Sequence, residues 1–207
     1  MIQEIVALID RSGSMMGKEE DTIGGINTTI KELQNNKEKD TIINMSIKFF
    51  DHESYLKFRH LNINNVRPLK ITDLCPRGQT ALLDAMGTTI NYFLNKKKNN
   101  LNCFDSCIIY VATDGLENSS KIFNNDLIKE LLYEAKKYNI EILYLGANQD
   151  AIFEAAKFGL NSEQAMNYTE NKNNINEAYR SLASATKRSR NGSNLSFLQS
   201  ERNHSLI

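Results

Sequence analysis

At 207 residues the chain has room for one domain and a short extension. Hydrophobic residues at 41% suffice for a packed core, and 25 basic residues offset 25 acidic ones, so no net field directs the protein to nucleic acid or an anionic membrane surface. No apolar run reaches the ~18–20 residues of a spanning helix, the N-terminus reads as a strand rather than a secretory signal, and Cys75, Cys103 and Cys107 form no even disulfide framework, which together predict a reducing, cytoplasmic setting.

Ile2 to Ile9 is almost continuously apolar, the pattern of a strand covered on both faces. Ile23, Ile26, Ile30 and Leu33 then recur at helical spacing and predict an amphipathic helix from Asp21 or Thr22 to Leu33. Gly24-Gly25 inside that helix costs propensity, which implies close packing or a ligand nearby. Thr41–Phe50 and Tyr55–Leu61 read as strands joined by Asp51-His52-Glu53 into a hairpin. Residues 62–79, with Pro68, Pro76 and Gly78, form a long connection of the kind that carries function in compact domains.

A helix over Thr80–Leu94 follows, with Leu83, Met86 and Ile90 in its stripe, and then a strand over Ser106–Ala112 that ends in Thr113-Asp114-Gly115. Cys107 starts that strand facing the core; Cys103 lies four residues before it, but no Cys-His pair follows to make a zinc site. Leu127–Tyr138 is a helix, Glu141–Leu145 a strand, Asp150–Phe158 a helix, Ala165–Tyr168 a short strand and Asn176–Thr186 a closing helix. Apolar periodicity stops at Lys187, so the reading gives a domain over 1–187 and a polar, mobile tail over 188–207.

Buried strands alternating with helices predict right-handed crossovers and a three-layer α/β/α, Rossmann-like domain with a six-stranded, mostly parallel sheet and one antiparallel edge strand. Ligands of such sheets bind beyond the carboxyl ends of the strands, where strand order reverses. Asp10 and Asp114 both stand at such ends. The first strand runs into Asp10, Ser12 and Ser14, and Gly13 lets the loop curl three oxygens towards one point. Hard oxygen donors in such a place suit a small divalent cation. Each piece also has an ordinary role: Asp and Ser bond nearby backbone, Thr80 can cap its helix, and Asp114-Gly115 is a turn dipeptide.

In order, Asp10-x-Ser12-x-Ser14, Gly78-Gln79-Thr80-Ala81-Leu82 and Thr113-Asp114-Gly115 resemble the three loops of the von Willebrand factor A (vWA) domain, and the likeness spans residues 2–186. Thr113–Asn118 and Leu145–Asp150 are most similar to small single-domain members from bacteria and their phages. The resemblance implies a metal-ion-dependent adhesion site in which Ser12, Ser14 and Thr80 bind Mg²⁺ through hydroxyls while Asp10 and Asp114 hold it largely through water. Mn²⁺ and Ca²⁺ are the alternative ions. Neutral inner donors leave the ion's charge available to an Asp or Glu carboxylate of a protein partner, so the implied role is a monomeric, metal-dependent binding domain and not an enzyme.

Around that set, Arg11 either greets an acidic ligand or is simply exposed, Glu117 and Asn118 line a rim, Asp84 is a surface or supporting residue, and Asp51 belongs to its turn. The alternatives are a metal-dependent phosphohydrolase and an assembly subunit with a purely structural metal. The hydrolase lacks a second acid, since Ser12 stands two residues after Asp10. No phosphate-binding Gly-x-x-x-x-Gly-Lys loop or Gly-x-Ser-x-Gly elbow occurs, and His52, His60 and His204 adjoin no nucleophile signature.

Overall fold

A computed structural model describes residues 1–35, 40–147, 150–169 and 172–204. In chain order the elements are β1 (Ile2–Asp10), α1 (Glu19–Asn35), β2 (Ile42–Phe50), β3 (Ser54–Asn62), α2 (Leu82–Asn99), β4 (Ser106–Thr113), α3 (Asn125–Lys136), β5 (Ile140–Ala147), α4 (Ala151–Lys157), β6 (Ala165–Tyr168), α5 (Lys172–Arg190) and α6 (Gln199–His204). One sheet runs in the order β3-β2-β1-β4-β5-β6. All pairs are parallel except β2–β3, which is antiparallel at the edge.

The continuous apolar runs have their cause in this layering. Ile5, Ala7 and Ile9 of β1 face α1 and α5, packing with Ile26, Ile30 and Leu182, while Val6 and Leu8 face the opposite layer with Met86, Ile90 and Ile109. Each such side chain removed from water contributes ~1.5–3 kcal/mol, so a strand covered on both sides has no polar alternation to show. Gly25 and Gly24 separate cleanly. A Cβ on Gly25 would sit 2.3 Å from the Tyr179 ring, so α1 meets α5 through a residue with no side chain, whereas Gly24 has open space.

The carboxy-terminal part differs from the expected mobile tail. α5 continues to Arg190, and the chain then folds back so that Leu195 and Phe197 are each 2% exposed. Arg188 clasps Glu201 of α6 with two hydrogen bonds of 2.7 and 2.8 Å, and the Phe197 N–H reaches the Glu163 carbonyl at 2.8 Å. Leu195, Phe197 and the exposed Leu198 are too few in this polar stretch to show a period, yet the first two close the layer over α5. Residues 205–207 of the expected tail lie outside the described residues.

Strand order reverses at β1, whose chain leaves towards β2 while β4 lies on its other side. Asp10 ends β1 and Asp114 follows β4, so the two carboxylates straddle the switch point.

Candidate metal centre

Asp10 is fully buried where β1 stops. Its Oδ1 accepts the Ser12 N–H at 2.7 Å, and its Oδ2 accepts the hydroxyl of Thr113 from the neighbouring strand. The Ser12 and Ser14 hydroxyls are 3.0 Å apart, and Ser14 Oγ donates to Asp114 Oδ1 at 2.6 Å. Thr80 joins from the connection before α2. A Cβ placed on Gly115 would lie 3.1 Å from Ser14 Oγ, 3.1 Å from Thr80 Oγ1 and 3.6 Å from Asp10 Oδ2. Oxygens from three loops thus face one spot beside Gly115, which is kept open because residue 115 has no side chain. Ser12 and Thr80 are each 2% exposed, while Ser14 is exposed and marks the solvent side.

The loops are stitched together by backbone. The Gly13 N–H bonds the Gly78 carbonyl at 3.0 Å, Arg77 N–H bonds the Arg11 carbonyl at 2.8 Å, and Ala81 N–H bonds the Asp51 carbonyl at 2.9 Å. Gly78 has φ +66°, and a Cβ there would meet the His52 ring at 2.2 Å, so that crossing needs glycine for both reasons. Beneath it Asp51 is fully buried. Its Oδ2 lies 2.9 Å from both Arg11 Nε and Arg77 Nε, and its Oδ1 accepts the Glu53 N–H at 2.6 Å. Arg77 makes a hydrogen bond, whereas Arg11 meets the carboxylate as a charge contact without hydrogen-bond geometry.

Arg11 is therefore drawn inward, beside the Tyr55 ring at 5.9 Å, instead of greeting a ligand from solvent. Asp51, His52 and Glu53 offer oxygen and nitrogen atoms within 4.8 Å of one another. Two guanidinium groups and a backbone N–H already serve the Asp51 carboxylate, so this cluster locks the hairpin turn to the 77–81 segment.

Thr80 does not cap α2. The helix begins at Leu82, and Glu117 from the β4–α3 loop takes the Leu83 N–H at 2.9 Å. Asn118 accepts the Thr80 N–H at 2.9 Å. The carboxylate of Asp84 returns the favour by accepting the N–H groups of Lys121, Ile122 and Phe123. Glu117 and Asn118 thus brace the second and third loops against each other, and with the helix end satisfied from outside, the Thr80 hydroxyl is left to face the other oxygens.

Sequence reading misses Lys18, whose ammonium forms an ion pair with Asp114 Oδ2. A lone lysine in a polar loop carries no signal of a partner 96 residues away. A cleft of about 190 Å³ opens beside this pair, lined by Met15, Asp21, Tyr168 and Ile175 among others.

The donor set fits a hard cation. It consists of hydroxyl and carboxylate oxygens alone, it carries two carboxylates against one ammonium, and burial pushes the Asp10 carboxyl above its ordinary range despite the Thr113 and Ser12 hydrogen bonds. A divalent ion would relieve that desolvation by supplying the missing charge. Asn148 and Gln149, within the Leu145–Asp150 stretch, lie outside the described residues.

No protein-family model matches the chain, and no curated protein matches it. Solved structures do. The vWF domain of the type V pili tip protein Mfa5 from Porphyromonas gingivalis is similar over 90% of this chain and 95% of its own, with TM-score 0.66 and 12% identity. Manganese-loaded TRAP protein of Plasmodium vivax is similar over 86% and 70%, with TM-score 0.61 and 21% identity. Proximal thread matrix protein 1 of the mussel byssus, with a zinc-occupied MIDAS motif, gives TM-score 0.59 at 14% identity; the likeness covers 89% of this chain but 46% of the mussel protein, about half its length. In architecture, strand order and helical layers, the chain has the von Willebrand factor A domain fold.

Proposed function

We propose that the protein is a divalent-cation-dependent binding domain in which Asp10, Ser12, Ser14, Thr80 and Asp114 hold the ion and a protein partner supplies an Asp or Glu carboxylate to it. The observation that carries this reading is the convergence of oxygens from three loops on the open spot beside Gly115. Mg²⁺ suits an all-oxygen set that retains water, and Mn²⁺ or Ca²⁺ can take its place. The ion, when bound, supplies a positive centre that attracts an anionic group; the chain's own hydroxyls hold it without cancelling its charge, and the buried carboxylates balance it from below.

The manganese of the Plasmodium protein and the zinc of the mussel protein support a metal in this fold, and the pilus-tip origin of the Porphyromonas domain supports adhesion as its use. Exposure of Ser14 at the solvent side favours a binding role over a metal enclosed for stability alone. Free Cys75, Cys103 and Cys107 favour a reducing compartment, and the domain acts as a monomer.

The test is retention of protein partners by the immobilised chain in Mg²⁺, followed by EDTA. Release on chelation, and no retention by Thr80→Ala, are expected. Partners that stay bound in EDTA would assign the work to another surface.

A further inference from the structure

On the α2 side of the sheet, away from the metal centre, β3 departs from regular pairing with β2. The register shifts between Met45 and Ile47 and again between Ile47 and Lys48. His60 adopts φ +48°, and its N–H is taken by Ser46 Oγ at 3.0 Å. The irregular strand pair stands off from α2 and leaves a cavity of about 220 Å³, whose lining includes Val6, Lys48, Leu56, Arg59, His60 and Phe93.

The charges in this cavity do not balance. Lys48 Nζ donates to the hydroxyls of Thr88 at 3.0 Å and Thr89 at 3.2 Å, and both hydroxyls in turn donate to backbone carbonyls of α2. Its ammonium has three N–H groups and, among the described residues, no carboxylate within ion-pair distance. Arg59 at the mouth lies over the Tyr92 ring at 5.9 Å, and it too has no carboxylate partner among the described residues. Glu4 on the same flank is engaged by Lys96 at 3.1 Å and by His60 Nδ1 at 2.8 Å. His60 Nε2 meets the Tyr92 hydroxyl at 2.8 Å, which fixes both rings as one wall.

We propose that this cavity is a second ligand site, which takes a small organic monoanion: a carboxylate paired with Lys48, on an apolar body lying against Val6, Leu56 and Phe93. Lys48 is half-buried, and an ammonium partly withdrawn from water without a counter-charge carries a cost that a guest carboxylate offsets with a charge-assisted hydrogen bond. Burial lowers the Lys48 pKa to about 8, in keeping with that imbalance. The volume lies below the ~300–1,000 Å³ of drug-sized pockets, which limits the guest to a single ring or a short chain.

The probe is phenylacetate, with its neutral amide, phenylacetamide, as the control. Both are titrated into the full chain by NMR with EDTA present throughout, so that no metal centre can take the carboxylate. Saturable shifts on Leu56, Tyr92 and Phe93 are expected for the acid, with the amide about tenfold weaker or worse, and Lys48→Met should erase the difference. Absence of saturable shifts at these residues, equal binding of acid and amide, or an unchanged preference in Lys48→Met would overturn the proposal. Should Lys48→Met fail to fold, the acid–amide comparison on the unaltered chain decides alone.

Discussion

At the carboxyl ends of β1 and β4, the Asp10 and Asp114 carboxylates share a buried corner with one ammonium, that of Lys18. Along the α2 flank of β2 and β3 the sign is reversed: the Lys48 ammonium is set among hydroxyls with no carboxylate beside it among the described residues. The first region buries its carboxylates and the second half-buries its ammonium, each without an equal internal counter-charge, and each adjoins a cleft. A fold selected only for stability would pair such groups or replace them, since an uncompensated buried charge is among the most costly features a core can hold. The comparison teaches that an imbalance of charge, together with room beside it, names both where a ligand goes and what sign it carries.

The largest expected effect is at Asp10. Asp10→Asn keeps an acceptor for the Ser12 N–H and removes the buried charge, so cation affinity should fall by more than the ~10–100-fold that outer partners of a metal cost. The unfolding midpoint in EDTA should stay the same or rise, because burial already disfavours the Asp10 carboxylate. A variant that unfolds in EDTA would make Asp10 a structural residue. Gly115→Ala tests the open spot sterically: its methyl would sit 3.1 Å from Ser14 Oγ and Thr80 Oγ1. Calorimetric titration should then show no cation binding by a chain of normal stability.

Lys48→Met tests the opposite imbalance by stability. The folded-state pKa of Lys48, about 8, is below its ordinary 10.5, so the folded protein releases this proton before the unfolded chain does. The cost of the buried charge is therefore complete below pH 8 and is relieved as pH rises towards 10.5. Denaturant unfolding at pH 7 should find Lys48→Met more stable by roughly 1–3 kcal/mol, with the gap closing between pH 8 and 10.5. The smallest effect belongs to Lys18. Lys18→Met removes the cation that competes for Asp114 and should raise metal affinity roughly fivefold, the ~1 kcal/mol scale of a partly exposed ion pair. An unchanged or weaker affinity would remove Lys18 from the account of the site.

What could be read from the residues follows from which interactions are local. The apolar run of β1 and the Asp10-x-Ser12-x-Ser14 spacing are contiguous, and the corresponding strand and loop stand where they were expected. The α2 boundaries were less legible: the expected helix from Thr80 to Leu94 is observed from Leu82 to Asn99, because its cap comes from Glu117 and its last turn is the polar Lys96-Lys97-Lys98. Arg11 gave no hint of Asp51, nor Lys18 of Asp114, since charge pairs across loops have no period in sequence. Lys48 was hidden as the last of three alternating polar residues of β2, Asn44, Ser46 and Lys48, which read together as an outward face; its lack of a counter-charge becomes visible only with α2 in place. The fold-back of Leu195 and Phe197 was invisible for the same reason: two contacts, far apart in chain from what they cover.

The central claim is that the oxygens around Gly115 bind a divalent cation in the folded state alone, and thermal unfolding in EDTA against Mg²⁺ or Mn²⁺ raised to about 5 mM tests it most directly. The account predicts a midpoint that climbs with cation concentration, as binding to the folded state requires, and that is unresponsive in Asp10→Asn and Gly115→Ala. A midpoint indifferent to both ions across that range, in the unaltered chain, would contradict it.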